Sequence, residues 1–155
     1  MSVKPIPDGY HSLTPYLVVN NANDAIAFYQ RAFGAELMLR LDIPGTQQVA
    51  HAELKFGNSH LMLTEENPQW NSVSPATLGG SPLSLMFYVP DVDAAFARAL
   101  EAGAVEVMAV QNQFYGDRSG TLKDPFGHIW TLGTHVEDVG LEELGQRMAA
   151  MFSAS

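Results

Sequence analysis

Two stretches decide the fold when one is placed over the other: TPYLVVNNANDAIAFYQRAFGAE (14–36) and SLMFYVPDVDAAFARALEAGAVE (84–106). Val19 falls on Val89, Ala25 on Ala95 and Tyr29 on Ala99, all at a shift of 70 (89 − 19). Past the helical part the shift becomes 69, with Gly34 on Gly103 (103 − 34) and Leu63 on Leu132 (132 − 63). Each stretch reads as an apolar strand, an Asn or Asp cap, an amphipathic helix and a Gly stop. Several strands follow in each half. Two similar units that build one body put the natural place for a ligand between them.

Around this repeat, 155 residues at 46% hydrophobic are enough for one well-buried core. The formal charge of −9 leaves no basic surface for phosphates, which argues against nucleic acid and anionic membrane partners. No apolar run reaches the roughly 18 residues of a membrane span, and MSVKPIPDGY lacks the apolar core of a signal peptide, so a cytoplasmic location is expected. With no cysteine, disulfides, thiolate ligands and thiol nucleophiles are excluded together.

The first ten residues are Pro-rich and read as an arm, followed by a strand over 11–20. Asn21 or Asn23 caps a helix in which Ala22, Ala25, Ile26, Tyr29 and Phe33 share a face, and Gly34 closes it. A strand over 36–43 and a Pro44-Gly45 turn lead into a hairpin, 49–56 with 59–65, closed at Gly57-Asn58. A two-residue loop fixes register, so Phe56 should face Ser59, Lys55 His60, Leu54 Leu61, Glu53 Met62, Ala52 Leu63 and His51 Thr64. One face is then Ala50, Ala52, Leu54, Leu61 and Leu63, for a helix to cover. The other carries His51, Glu53, Lys55, His60, Met62 and Thr64 and is solvated or lines a cleft. The sequence divides into module one at about 11–66, a Ser/Pro/Gly/Asn-rich linker at 67–82, module two at about 83–135 and a C-terminal helix at about 138–152. In module two the reading gives strands over 83–89 and 105–110, a Gly-punctuated stretch with the turn Asp124-Pro125-Phe126-Gly127, and a final strand over 129–134.

The paired units, the strand-Asn/Asp-helix-Gly entry and the ending DPFGHIW resemble the vicinal oxygen chelate superfamily of glyoxalase I, bleomycin-resistance proteins and extradiol dioxygenases. The strings HAELKFGNSHLML, FYGDRSG, DPFGHIW and THVED resemble its PhnB-like branch of small bacterial proteins. The resemblance covers nearly the whole chain, from about Tyr10 to Glu143. It implies an α+β fold of two paired βαβββ modules whose curved mixed sheets enclose a cleft, with a C-terminal helix in addition. It also implies pairing into a homodimer.

Metal-dependent members of that superfamily place four His or Glu ligands on the first and last strands of each module. Those positions fall here on Thr14, Met62, Ser84 and Thr131. Hydroxyls and a thioether are poor donors for a hard or borderline divalent ion, so no cofactor is expected at the usual site. His51 and Glu53, two residues apart on one strand face, leave room for a relocated divalent metal or for proton transfer. His128 reads as a turn-stabilising imidazole bonded to backbone, His60 and His135 as surface residues, and His11 as a residue near the cleft mouth. Arg118 can clamp an anionic group or pair locally with Asp117. Trp70 and Tyr115 are candidates to stack a planar ligand, whereas Trp130 reads as core. Thr14, Met62, Thr64, Trp70, Ser84, Tyr115, Arg118 and Thr131 are thus the expected ligand contacts, and His51 and Glu53 the candidate catalytic pair. Two functions fit. One is a metal-independent module binding a small hydrophobic or aromatic molecule. The other is a superfamily enzyme, of lyase, isomerase or oxygenase type, using His51/Glu53 or a relocated metal.

Overall fold

A computed structural model describes residues 2–154. Strand β1 (Tyr16–Val19) leads into helix α1 (Ala22–Phe33), then β2 (Glu36–Asp42), β3 (Val49–Phe56) and β4 (Ser59–Glu65). The linker carries a 3₁₀ turn (Pro68–Trp70) and the one-turn helix α2 (Pro75–Leu78). Module two repeats the order with β5 (Ser84–Tyr88), α3 (Val92–Ala102), β6 (Val105–Asn112), β7 (Asp117–Lys123) and β8 (Ile129–His135), and α4 (Leu141–Ser153) ends the chain. The sheets are ordered β1-β4-β3-β2 and β5-β8-β7-β6, each parallel at its first pair and antiparallel elsewhere. These are the two βαβββ modules of the expected α+β class.

Local chemistry explains the boundaries. The side chain of Asn21 accepts from the Asp24 N–H at 3.1 Å, and that of Asp91 accepts from the Ala94 N–H at 3.1 Å, so each helix begins at an Asx cap. Asn23, the other cap candidate, donates to the Gln47 carbonyl at 3.1 Å instead. Gly34, at φ 67°, closes α1 in the left-handed region. The β3–β4 hairpin pairs Phe56 with Ser59, Lys55 with His60, Leu54 with Leu61, Glu53 with Met62 and Ala52 with Leu63, the expected register.

Four elements differ from the sequence reading. The first strand begins at Tyr16 rather than residue 11, because Thr14 Oγ1 donates back to the His11 carbonyl and Pro15 follows. The Gly-punctuated stretch contains a full strand, β7. Its Gly120 marks a close approach rather than a break, since a Cβ there would lie 2.8 Å from Val110 and 2.9 Å from Phe96. The linker is ordered by Glu66, which accepts from the Ser74 N–H at 2.6 Å and from Thr77 Oγ1 at 2.9 Å. The C-terminal helix starts at Leu141 and is fixed by Arg147, which donates to Glu137, Glu143 and the Phe114 carbonyl.

One core serves both modules. Residues on the helix-bearing side of each sheet join α1 and α3, which pack on each other, in a single buried cluster. Phe56 of β3 stacks on Trp130 of β8 at 5.4 Å, and Phe33 of α1 lies 4.7 Å from Trp130. Across the same boundary the Tyr29 hydroxyl donates to Asp124 at 2.6 Å, and His128 Nε2 bonds the Val18 carbonyl at 2.9 Å. The opposite, open faces carry the rows Tyr16-Met62-Glu53-Leu39 and Met86-Thr131-Thr121-Met108. Leu39, Leu41, Met86, Tyr88 and Met108 on these faces are 40–58% exposed, so neither sheet covers the other's open face within one chain.

Candidate functional site

On the open face of the first sheet, alternation along β3 turns His51 and Glu53 to the same side as Tyr16 and Met62. The Tyr16 hydroxyl lies 2.8 Å from His51 Nδ1, and His51 Nε2 lies 3.1 Å from Glu53 Oε1. A neutral imidazole that accepts from Tyr16 at Nδ1 donates from Nε2 to the carboxylate. The N-terminal arm completes the chain: the Tyr10 hydroxyl donates to the other Glu53 oxygen, and its ring stacks on His60 at 4.3 Å. Glu53 is held below the usual carboxylate range, first by the Tyr10 hydrogen bond and then by His51, against the opposing effect of burial. Tyr10 is pushed up to about 12 by burial and by its bond to Glu53. The resulting chain, Tyr16–His51–Glu53–Tyr10, can hold an anionic carboxylate and relay a proton along a strand face.

The open face of the second sheet carries a cluster of its own. Asp117, at the start of β7, accepts from the Tyr88 hydroxyl at 2.7 Å and from His135 Nδ1 at 2.8 Å. His135 Nε2 reaches Asp138 at 2.7 Å. Between two carboxylates the imidazolium is favoured, and the His135 pKa is raised above its ordinary value, with the Asp138 bond the larger cause and the Asp117 bond next. A raised pKa means that the stabilisation is fully present below the ordinary histidine value and is lost as pH rises through the folded value. The melting midpoint of the protein should therefore fall more steeply as pH rises above the ordinary histidine value than that of His135→Gln. Parallel profiles would show that the cluster adds nothing.

The other expected residues are dispersed. Thr14 caps its own turn, and Ser84 is exposed at the start of β5. Met62 and Thr131 lie on the open faces of different sheets, and the Thr131 hydroxyl pairs with that of Thr121 at 3.0 Å. Thr64 is buried, with its hydroxyl donated to the Ala50 carbonyl at 2.9 Å. Trp70 stands on the 3₁₀ turn, 62% exposed. Tyr115 packs edge-on against Phe114 at 5.3 Å. Trp130 is core, as expected.

Arg118 requires a correction. Alternation along β7 sends it to the helix side of the sheet, where it grips Asp93 of α3 at 2.8 and 2.9 Å and Asn112 at 3.2 Å. It is neither paired with Asp117 nor on the open face, because neighbours in a strand point to opposite sides. His128 does bond backbone, but that of the other module. His135 is half exposed yet doubly bonded. Sequence reasoning missed Tyr10, Tyr16 and Tyr88, and saw Asp117 only as a partner for Arg118. Tyr16 was open to detection, since it shares strand parity with the polar face. Tyr10 was not, because nothing local says where the arm lies.

The donor chemistry at Thr14, Met62, Ser84 and Thr131 does not fit a divalent ion. Among the described residues no group of three or more His, Asp or Glu side chains is placed to hold one.

A family model described as the Glyoxalase/Bleomycin resistance protein/Dioxygenase superfamily matches residues 10–132. A protein of Mycobacterium bovis is 42% identical over 143 residues, covering 90% of this chain and 93% of the relative. Among solved structures, TioX from Micromonospora sp. ML1 superposes with a TM-score of 0.64 at 26% identity, covering 81% of this chain and 99% of TioX. A PhnB protein from Bacillus cereus superposes with a TM-score of 0.60 over 80% of this chain and 99% of its own, at 19% identity, which is a likeness of fold.

Proposed function

The chain belongs to the Glyoxalase/Bleomycin resistance protein/Dioxygenase superfamily, and on that premise we propose that it binds a small hydrophobic or aromatic molecule without the superfamily's usual metal. The observation that carries this reading is the donor set: the positions that the family resemblance assigns to four His or Glu ligands hold two threonines, a serine and a methionine. Within the superfamily its strings resemble those of the PhnB-like branch. A likeness in name or fold to a resistance protein assigns no particular ligand.

A second copy would close the open faces. The chain exposes 9548 Å². A folded monomer of its 16.9 kDa mass would expose about 7,700 Å². The excess of about 1,900 Å² per chain, about 3,800 Å² for a pair, falls in the range of obligate homodimers. Pairing would set the open face of one sheet opposite that of a second copy and cover the apolar side chains now at the surface.

The second reading is an enzyme. The four-membered chain around His51 and Glu53 favours it, because an imidazole oriented by a carboxylate is suited to proton transfer at an oxygenated substrate.

Thermal shift separates the two. A bound aromatic ligand at about 100 times its Kd stabilises by about 2.7 kcal/mol, which raises the midpoint by about 5–10 °C for a chain of this size. The binder predicts the same shift with and without EDTA and in His51→Ala. A shift that needs an added divalent ion and vanishes in His51→Ala or Glu53→Ala would replace the binder with the enzyme.

A further inference from the structure

Between the modules lies a groove of about 500 Å³, a size typical of small-molecule pockets. It runs between the Gly57-Asn58 hairpin tip, the segment from His11 to Pro15, and β5. Its apolar wall is formed by Leu13 and the half-buried Phe87, backed by the core rings Phe56 and Trp130, with Phe56 stacked on Trp130 and edge-on to Phe87 at 5.8 Å. Although the chain has 17 acidic residues, none lines the groove. It borders the open faces through Met86, Tyr88 and His60, but the carboxylates of their clusters, Glu53 and Asp117, do not line it.

One rim group gives the groove a polar preference. His60 lines it, and its Nδ1 lies 2.6 Å from the Gly9 carbonyl. A carbonyl only accepts, so Nδ1 carries the proton, and Nε2 of the neutral ring is left as an acceptor. Nε2 has no protein partner among the described residues. Stacking on Tyr10 holds the imidazole in place. Beside the other polar groups of the rim, His11, Thr14, Asn58, Ser59 and Tyr88, an acceptor held in place by stacking favours a flat apolar molecule that carries a hydroxyl donor.

We infer that this groove binds a hydroxylated aromatic molecule, its ring against Phe87, with Phe56 and Trp130 packed behind it, and its hydroxyl donated to His60 Nε2. The inference rests on the reading of the protein as a binder and names the place and the ligand class.

The two tryptophans supply an internal control, because Trp130 lines the groove and Trp70 does not. With 2-naphthol as the probe and ¹⁵N-labelled protein, the Trp130 indole resonance should move saturably while that of Trp70 stays in place. Affinity should be roughly 3- to 10-fold higher for 2-naphthol than for 2-methylnaphthalene, which lacks the donor, and His60→Phe should abolish that preference. Ser59→Tyr, which fills the mouth from an exposed hairpin position, should weaken binding about tenfold or more while leaving the melting midpoint nearly unchanged. Calorimetric binding of 2-naphthol with Trp130 silent, or binding undiminished in Ser59→Tyr, would overturn the groove and leave the binder standing. Failure of 2-naphthol to bind at all would also overturn the groove. Only the absence of any metal-independent thermal shift, measured separately, would remove the binder reading itself.

Discussion

Asp124→Ala should lower the stability of the folded chain by about 3–5 kcal/mol, because it strips the acceptor from several buried donors at once. The carboxylate is 3% exposed. It accepts from the Tyr29 hydroxyl at 2.6 Å, from Trp130 Nε1 at 2.9 Å, and from the Phe126 and His128 N–H groups at 2.9 Å each. Tyr29 belongs to module one and the other three donors to module two, so one side chain ties the turn, the last strand and the first helix together. A loss of this size corresponds to a fall of about 10–15 °C in melting midpoint. Urea unfolding should show a lower midpoint with little change in slope. Tyr29→Phe removes a single donor and should cost about 1 kcal/mol. The two changes should be less than additive, since each removes the same hydrogen bond. A loss below about 1 kcal/mol for Asp124→Ala would mean that the donors find other partners.

Much of this architecture was legible in the sequence because its signals are local. Asn21 and Asp91 announce helices by side-chain caps, Gly34 and Gly103 end them, and a Gly57-Asn58 loop leaves the hairpin only one register. The residues misread depend on distant parts of the chain. Gly120 looks like a break until α3 is seen to press on the strand that contains it. Asp117 and Arg118 look like partners because they are adjacent, yet strand alternation sends one to Tyr88 and His135 and the other to Asp93. The polar face of β3 was visible from its periodicity. Its completion by Tyr10 was not, because the path of an N-terminal arm across a sheet leaves no pattern in the arm itself.

Association provides the second large effect. Sedimentation of the protein at micromolar concentration should give about 34 kDa, twice the 16.9 kDa chain. The double variant Leu39→Glu, Leu41→Glu should sediment at half that mass. Both positions lie on the open face of the first sheet, paired with Glu53 and His51, and are 40% and 53% exposed in a single chain. New charges there cost little in a monomer. In a dimer they would be buried against a second copy or set beside Glu53, at a cost of several kcal/mol. A wild-type chain that stays monomeric would mean that the two open faces work separately and that no shared hollow forms.

The most direct test of the central claim is the metal content of protein purified without an affinity tag, measured by elemental analysis after dialysis against the common divalent ions. With hydroxyls and a thioether at Thr14, Met62, Ser84 and Thr131, only traces should remain, and aromatic binding should persist. One tightly held ion per chain, whose loss abolishes ligand binding, would contradict the account.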